Sequence, residues 1–291
     1  MQDRNQRSHG RLLFGENRMN RFIAAMDHSG GSTGGVLERY GQEYTEENKM
    51  DLVNDMRLRM INSPDFTSDN IWAMIFYKDS VDRGLAVIAN AKDIKPILKI
   101  DSGIAEDGTL KPFDLRGMIQ YAKDYECWGT KMRSMVPDGI SSWRIVEQQF
   151  NFAQDIIDAG LVPIIEPEVP IDHPQKRDVE LALREDLRRG LKNIVGDVIL
   201  KLTIPDNPTV YDVLHEYSSL YRLVGLSGGY STEEACKKLS YVTNMSASFS
   251  RGLSEGLYAH QTEEEFDTRI SENIKMIKNA SLPAAKWWDQ A

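Results

Sequence analysis

The chain has 291 residues, 41% of them hydrophobic, with 44 acidic side chains against 35 basic ones for a formal charge of −9. This composition supplies ample material for a core and excludes a disordered chain, and the length suits one large α/β domain or two ordinary ones. An acidic balance without a basic stripe argues against a nucleic-acid or anionic-membrane surface, yet leaves room for a small anion in a locally basic cleft.

Residues 1–18 are polar, and their only apolar cluster, Leu12 to Phe14, is too short for a secretory signal. A flexible N-terminal extension is therefore expected ahead of one domain spanning 19–291. From there, strand-length apolar runs alternate with helical patterns. The strands read at 21–27, 71–78, 95–101, 129–134, 161–169, 198–205, 221–229 and 246–253. Several are almost continuously hydrophobic, as strands covered on both faces are. Between them, residues 46–62 carry Met50, Leu52, Val53, Met56 and Met60 at helical spacing. Val146, Phe150, Ala153 and Ile157 share one face of a helix that ends at Gly160, where a C′ residue is wanted. Val179, Leu183, Leu187 and Leu191 form another stripe. Ser231 with Glu234, and Thr262 with Glu265, fit capping boxes.

Eight strands with helical or long connections predict a single-domain TIM (β/α)8 barrel of the α/β class. A doubly wound open sheet is weaker, because "SGGSTGG" after the first strand lacks the glycine spacing of a dinucleotide site. No apolar run reaches the length of a membrane span. Cys127 and Cys236 lie far apart with no metal-ligand spacing, which fits a reducing cytoplasm. The five histidines form no ligand-like cluster, so no metal is expected, and His28 beside glycines reads as a loop residue.

A barrel places its chemistry at the C-terminal ends of its strands. Reading there gives Asp27, Lys99, Asp101, Lys131, Arg133, Glu166, Glu168, Lys201, Ser227 and Arg251. Lys201, inside "VILKLTIP", has two readings. It is an edge-strand lysine whose head reaches water, or a buried amine. Its apolar neighbours of both alternation classes favour the second. Glu166 and Glu168 share one side of their strand, as do Lys131 and Arg133, and either pair has a purely structural reading as buried ion pairs.

Taken together, the set has a chemistry. A buried lysine becomes nucleophilic when desolvation and a cationic neighbour leave it a free amine. Such an amine attacks a ketone and loses water to give an iminium, an electron sink that lets an adjacent C–C bond break. The step needs a second cation, an acid/base carboxylate and a base for the substrate hydroxyl; Lys131, Glu166 and Asp27 supply one of each. "LSGGYST" after the seventh strand and "FSRGL" after the eighth lie where barrels commonly hold phosphate. "SGGST" with Lys99 suits a second phosphate across the mouth, so a sugar bisphosphate is the expected substrate.

With these residues in view, the chain resembles class I fructose-bisphosphate aldolases, in their shorter bacterial form, from Met19 onward. The matching motifs are "FIAAMDHSGGST", "ILKID", "GTKMRS", "GLVPIIEPEV", "LKLTIP", "LSGGYS" and "ASFSRGL". The resemblance implies a cytoplasmic lyase of glycolysis or gluconeogenesis. It would reversibly cleave fructose 1,6-bisphosphate to dihydroxyacetone phosphate and glyceraldehyde 3-phosphate, using a covalent lysine imine and neither cofactor nor metal. It further implies Lys201 as the Schiff-base lysine, Glu166 as the proton-transfer glutamate and Asp27 as the aspartate acting on the C4 hydroxyl. Lys131 and Arg133 match the basic pair beside the substrate, and Glu168 its companion carboxylate. Ser227, Gly228, Gly229, Arg251 and Gly252 fall in the C1-phosphate region; Ser29, Ser32 and Lys99 fall in the C6-phosphate region. The partner implied is the sugar bisphosphate, with no nucleic acid or membrane; the reading is compatible with a homo-oligomer.

The chain departs from the animal-type pattern in several places. His28 stands where those enzymes have a glutamate, and Ser102 where they have a lysine. "FSRGL" is shorter than their "FSYGRAL", and "KWWDQA" carries no C-terminal tyrosine. Another Schiff-base aldolase of a monophosphate sugar remains an alternative within catalysis, and a non-catalytic barrel an alternative outside it. The paired phosphate regions disfavour the first, and the intact Lys201 and Glu166 the second.

Overall fold

The computed structural model describes residues 20–29, 31–136 and 142–281. The expected N-terminal extension lies outside them, as do the final residues from 282 onward. Eight strands form a closed, all-parallel barrel in sequence order: β1 (Phe22–Met26), β2 (Ile71–Phe76), β3 (Lys95–Lys99), β4 (Gly129–Met135), β5 (Val162–Glu168), β6 (Val198–Thr203), β7 (Leu220–Leu226) and β8 (Met245–Phe249). This is the (β/α)8 barrel expected, with each strand overlapping its apolar run; most end short of it, β7 by three residues and β8 by four, while β4, β7 and β8 each extend one residue past it at one end.

Helices cover the outside: α1 (Gly31–Arg39), α2 (Lys49–Asn62), α3 (Lys78–Asp82), α4 (Leu85–Ala91), α5 (Leu115–Asp124), α6 (Trp143–Asp158), α7 (Lys176–Asn193), α8 (Thr232–Leu239), the single turn α9 (Arg251–Ser254), and α10 (Glu263–Ala280). Their starts and stops follow local chemistry. Thr262 and Glu265 form the complete capping box at α10, each side chain satisfying the other's backbone N–H. At α8 only half of the expected box forms: Ser231 Oγ accepts from the Glu234 N–H at 3.2 Å. Gly160, past the end of α6, takes φ +89°, the left-handed turn that stops a helix. "SGGSTGG" leads directly into a helix. From Gly31 onward it opens α1.

Two apolar layers result from the period of two along each strand. Outward side chains pack beneath the helices in one continuous core. Inward ones, among them Ile23, Ala25, Ile75, Ile97, Ile164, Ile199 and Val224, fill the barrel itself. The N-terminal end is closed by Arg222, which is hydrogen-bonded to Ser246 and lies 5.0 Å from the centre of the Trp72 ring. Among the described residues no helix is long and apolar enough to cross a membrane.

Candidate active site

The inward stripes do not stay apolar. On strand after strand the apolar inward residue is followed two positions later by a charged one: Ala25 by Asp27, Ile97 by Lys99, Ile164 by Glu166, Ile199 by Lys201. Since the strands are parallel and in register, these replacements fall at one end and build a charged layer on the apolar plug. Lys99 sits beside Lys131 in the β3–β4 register, and Arg133 beside Glu166 in the β4–β5 register.

At the centre Glu166 is shared by two lysines. Its Oε1 lies 3.0 Å from Lys201 Nζ and its Oε2 2.8 Å from Lys131 Nζ. Lys131 also meets Asp27 Oδ2 at 2.7 Å. Lys201 is only 4% exposed, Glu166 3% and Lys131 2%. The edge-strand reading of Lys201 thus fails, because its strand is paired on both sides and its ammonium is enclosed. The ion pairs explain why such charges tolerate burial.

Electrostatics follow from this packing. Burial alone would raise the Asp27 carboxyl, but Lys131 and then Lys201 outweigh it, and the pKa falls well below the ordinary carboxylate range. Glu166 behaves alike: burial pushes up, Lys131 and Lys201 pull down more strongly, and the net shift is downward. For Lys131, burial is overcome by Asp27, Glu166 and Asp101, which hold it firmly protonated. Lys131 is therefore a fixed cation beside Lys201, and Glu166 and Asp27 are held as carboxylates.

Around this centre the other expected residues are brought to the same mouth. Arg133 Nε meets Glu168 Oε2 at 2.6 Å. Lys99 Nζ lies 3.3 Å from Ser29 Oγ and 3.4 Å from Asp101 Oδ1. Asp101 in turn accepts from the Arg133 N–H at 3.2 Å and the Gly103 N–H at 3.1 Å, locking the β3 exit to β4. The Ser32 side chain falls outside the described residues. Ser227, Gly228 and Gly229 form the β7 exit, with the two glycines at φ +59° and +122°. A Cβ on Gly228 would also come within 2.5 Å of Ile171, so this turn demands glycine twice over. Arg251 is exposed and Gly252 buried, at the start of α9. Thr232 holds these two exits together, donating its hydroxyl to Gly252 O and giving its N–H to Glu255 at 2.9 Å.

Several contributors were not singled out by sequence reasoning. Arg39, at the last turn of α1, has its pKa lowered by burial and then by the nearby charge of Arg251. Arg57, 1% exposed on α2, donates to His28 O at 2.8 Å and to Ser80 Oγ at 2.7 Å, which pins the turn that follows Asp27. His28 stands in the loop after β1, as expected, and its Nε2 lies 2.9 Å from Ser250 Oγ, tying the β1 exit to the β8 exit. Gln149, fully buried on α6, accepts from the Glu166 N–H at 3.0 Å. The residue type at Arg57 was the one available signal: an arginine on the buried face of an amphipathic helix needs a polar partner.

Comparison with known proteins agrees with this geometry. No family model matches the chain. Among solved structures, the fructose-bisphosphate aldolase of Plasmodium falciparum has the same fold at TM-score 0.74 and 18% identity, covering 95% of each chain. An archaeal fructose 1,6-bisphosphate aldolase does so at TM-score 0.56 and 12% identity, covering 88% of this chain and 94% of that one. In sequence, the chain is 44% identical over 282 residues to the class 1 fructose-bisphosphate aldolase of Synechocystis, which covers 90% of this chain and 93% of the relative. Identity at that level across nearly the whole of both chains shows the family: the chain belongs to the class 1 fructose-bisphosphate aldolases.

Proposed function

We propose that this protein reversibly cleaves fructose 1,6-bisphosphate to dihydroxyacetone phosphate and glyceraldehyde 3-phosphate through an imine on Lys201. The observation that carries it is the buried Lys201 amine, 3.0 Å from one oxygen of a carboxylate whose other oxygen belongs to Lys131. Glu166 takes the ammonium proton, and the free amine adds to the substrate ketone at C2. Glu166 then returns a proton to the carbinolamine hydroxyl, which leaves as water and gives the iminium. Lys131 stays charged throughout and steadies Asp27 and Glu166 as protons move. Asp27 removes the C4 hydroxyl proton, the C3–C4 bond breaks, and its electron pair enters the iminium to form an enamine. Glyceraldehyde 3-phosphate departs. Protonation at C3 and hydrolysis of the imine release dihydroxyacetone phosphate and restore Lys201. No metal takes part, as is characteristic of class 1 enzymes.

Phosphate recognition supports the bisphosphate over a monophosphate. Ser227, Gly228, Gly229, Arg251 and Gly252 would hold the C1 phosphate at the β7 and β8 exits, where Thr232 keeps both segments together. Lys99 with Ser29, and Ser32 beyond it, would hold the C6 phosphate; Arg133 and Glu168 would line the sugar between them. Two free, buried cysteines fit a cytoplasmic setting, in glycolysis or gluconeogenesis.

Borohydride added with dihydroxyacetone phosphate should reduce the imine and leave a stable adduct on the peptide containing Lys201. The Lys201→Met variant should fold, take up no label and lose on the order of 10⁴-fold or more in cleavage, the scale seen when a nucleophile is removed. A label on another lysine, or loss of turnover in EDTA, would overturn the reading.

A further inference from the structure

We infer that Gln149 is a positioning residue for Glu166: through one backbone hydrogen bond it sets where the shared carboxylate stands. The inference rests on the role proposed above for Glu166 and adds a residue that neither touches the substrate nor lines the mouth. Gln149 lies on α6 with no exposure to solvent, and its Oε1 accepts from the Glu166 N–H at 3.0 Å. Because an N–H can only donate, the amide oxygen must face the strand, so the orientation of this side chain is fixed by chemistry. Its Nε2 has no hydrogen-bond partner among the described residues, so the bond to Glu166 is the one through which the side chain acts.

The strand explains why the bond matters. In a parallel barrel a strand N–H is normally given to a carbonyl of the neighbouring strand. β5 is paired to β6 at Ile164 with Ile199 and at Ile165 with Leu200, and the register stops there. The next residues are Glu166 and Lys201, joined through their side chains at 3.0 Å instead. Pro163 and Pro167, on either side of this stretch, contribute no N–H. On the β6 side the ladder therefore ends where the ion pair begins; on the β4 side Glu166 still stands opposite Arg133, and Gln149 gives its N–H an acceptor on α6. A backbone held outward toward α6 leaves the carboxylate inward, within reach of both lysines. Loss of the acceptor lets that backbone relax and moves the carboxylate relative to Lys201, the distance on which proton transfer depends.

The test is a mutant cycle read by steady-state kinetics on the full-length enzyme, with folding checked by circular dichroism. Gln149→Met keeps the length of the side chain and removes the acceptor. It should lower kcat by about tenfold to a hundredfold, the scale of a small misplacement of a catalytic group, with KM for fructose 1,6-bisphosphate changed by about twofold or less. Borohydride labelling of Lys201 should slow in proportion. Gln149→Glu, which keeps an acceptor oxygen, should recover most of the loss. In a Glu166→Gln background, Gln149→Met should cost nothing more. An unchanged kcat in folded Gln149→Met, or a loss that adds fully to that of Glu166→Gln, overturns the inference. If Gln149→Met melts below the assay temperature, Gln149→Asn, which draws the oxygen back, carries the same expectation. Full activity in Glu166→Gln alone would instead overturn the role of Glu166, a separately visible outcome.

Discussion

Lys131 reaches from β4 across the barrel mouth to Asp27 at the end of β1, at 2.7 Å. The same ammonium pairs with Glu166, so two carboxylates depend on one buried cation, and Lys201 is the second lysine paired with Glu166. This makes Lys131 the electrostatic keystone of the site as well as the cation that flanks the nucleophile.

Lys131→Met should therefore destabilise the protein by about 3–5 kcal/mol at pH 7, because it leaves buried carboxylates without their cation. One of Asp27 and Glu166 would then hold a proton more tightly when folded than when unfolded, so the deficit should shrink as pH falls toward the carboxylate range. Urea unfolding at pH 7 and pH 5 measures both effects. An unfolding midpoint equal to wild type at pH 7 would show that the ion pairs carry no net stabilisation.

Acid should weaken the fold in two stages. Burial foremost, with Arg57, Arg39 and Lys131 adding to it against Asp27, brings His28 down from its ordinary 6.5 to about 4. Between those values the unfolded chain binds a proton that the folded one refuses, so stability drops as pH falls through this window. His215, also lowered by burial, adds in the same direction. Below the ordinary carboxylate pKa, Asp27 and Glu166 contribute the second stage, since both are depressed when folded and their stabilisation is lost as they protonate. His28→Asn should flatten the first stage, whose slope is at most about 1.4 kcal/mol per pH unit for one histidine. Chemical denaturation from pH 7 to pH 4 reads this, and an unaltered slope in the variant would remove His28 as the cause.

Arg251 is exposed and lies near Arg39, so it should act on binding and leave the chemistry alone. Arg251→Ala should raise KM for fructose 1,6-bisphosphate by roughly tenfold, the worth of a charge-assisted bond to phosphate, and leave thermal stability unchanged. Competitive inhibition by inorganic phosphate should weaken in parallel. Equal loss toward a phosphate-free ketose would contradict the assignment.

How legible the site was depends on which kind of periodicity placed each residue. Asp27, Lys99, Glu166 and Lys201 interrupt an inward stripe of period two, and an ionisable group there must be paired or functional. Each could therefore be picked out one strand at a time. Arg57 and Gln149 sit on the buried faces of α2 and α6, where a helical stripe tolerates an occasional polar residue. Their partners, His28 O and the Glu166 N–H, are backbone groups that no side-chain pattern displays. His28 lies in a loop as expected, but its bond to Ser250 was hidden for a related reason: it spans the closure of the barrel, from β1 to β8.

By itself the sequence determined the alternation of strands and helices, the end of the barrel at which charge would gather, and the residue types required for imine chemistry. Those features are local, because side-chain period and turn preference act over a few residues. Only the tertiary structure decided that Lys131 and Lys201 share Glu166, that Asp27 completes the cluster from the opposite wall, and that α6 holds the Glu166 backbone. Strand register and barrel closure bring those groups together, and both are set by the packing of the whole domain.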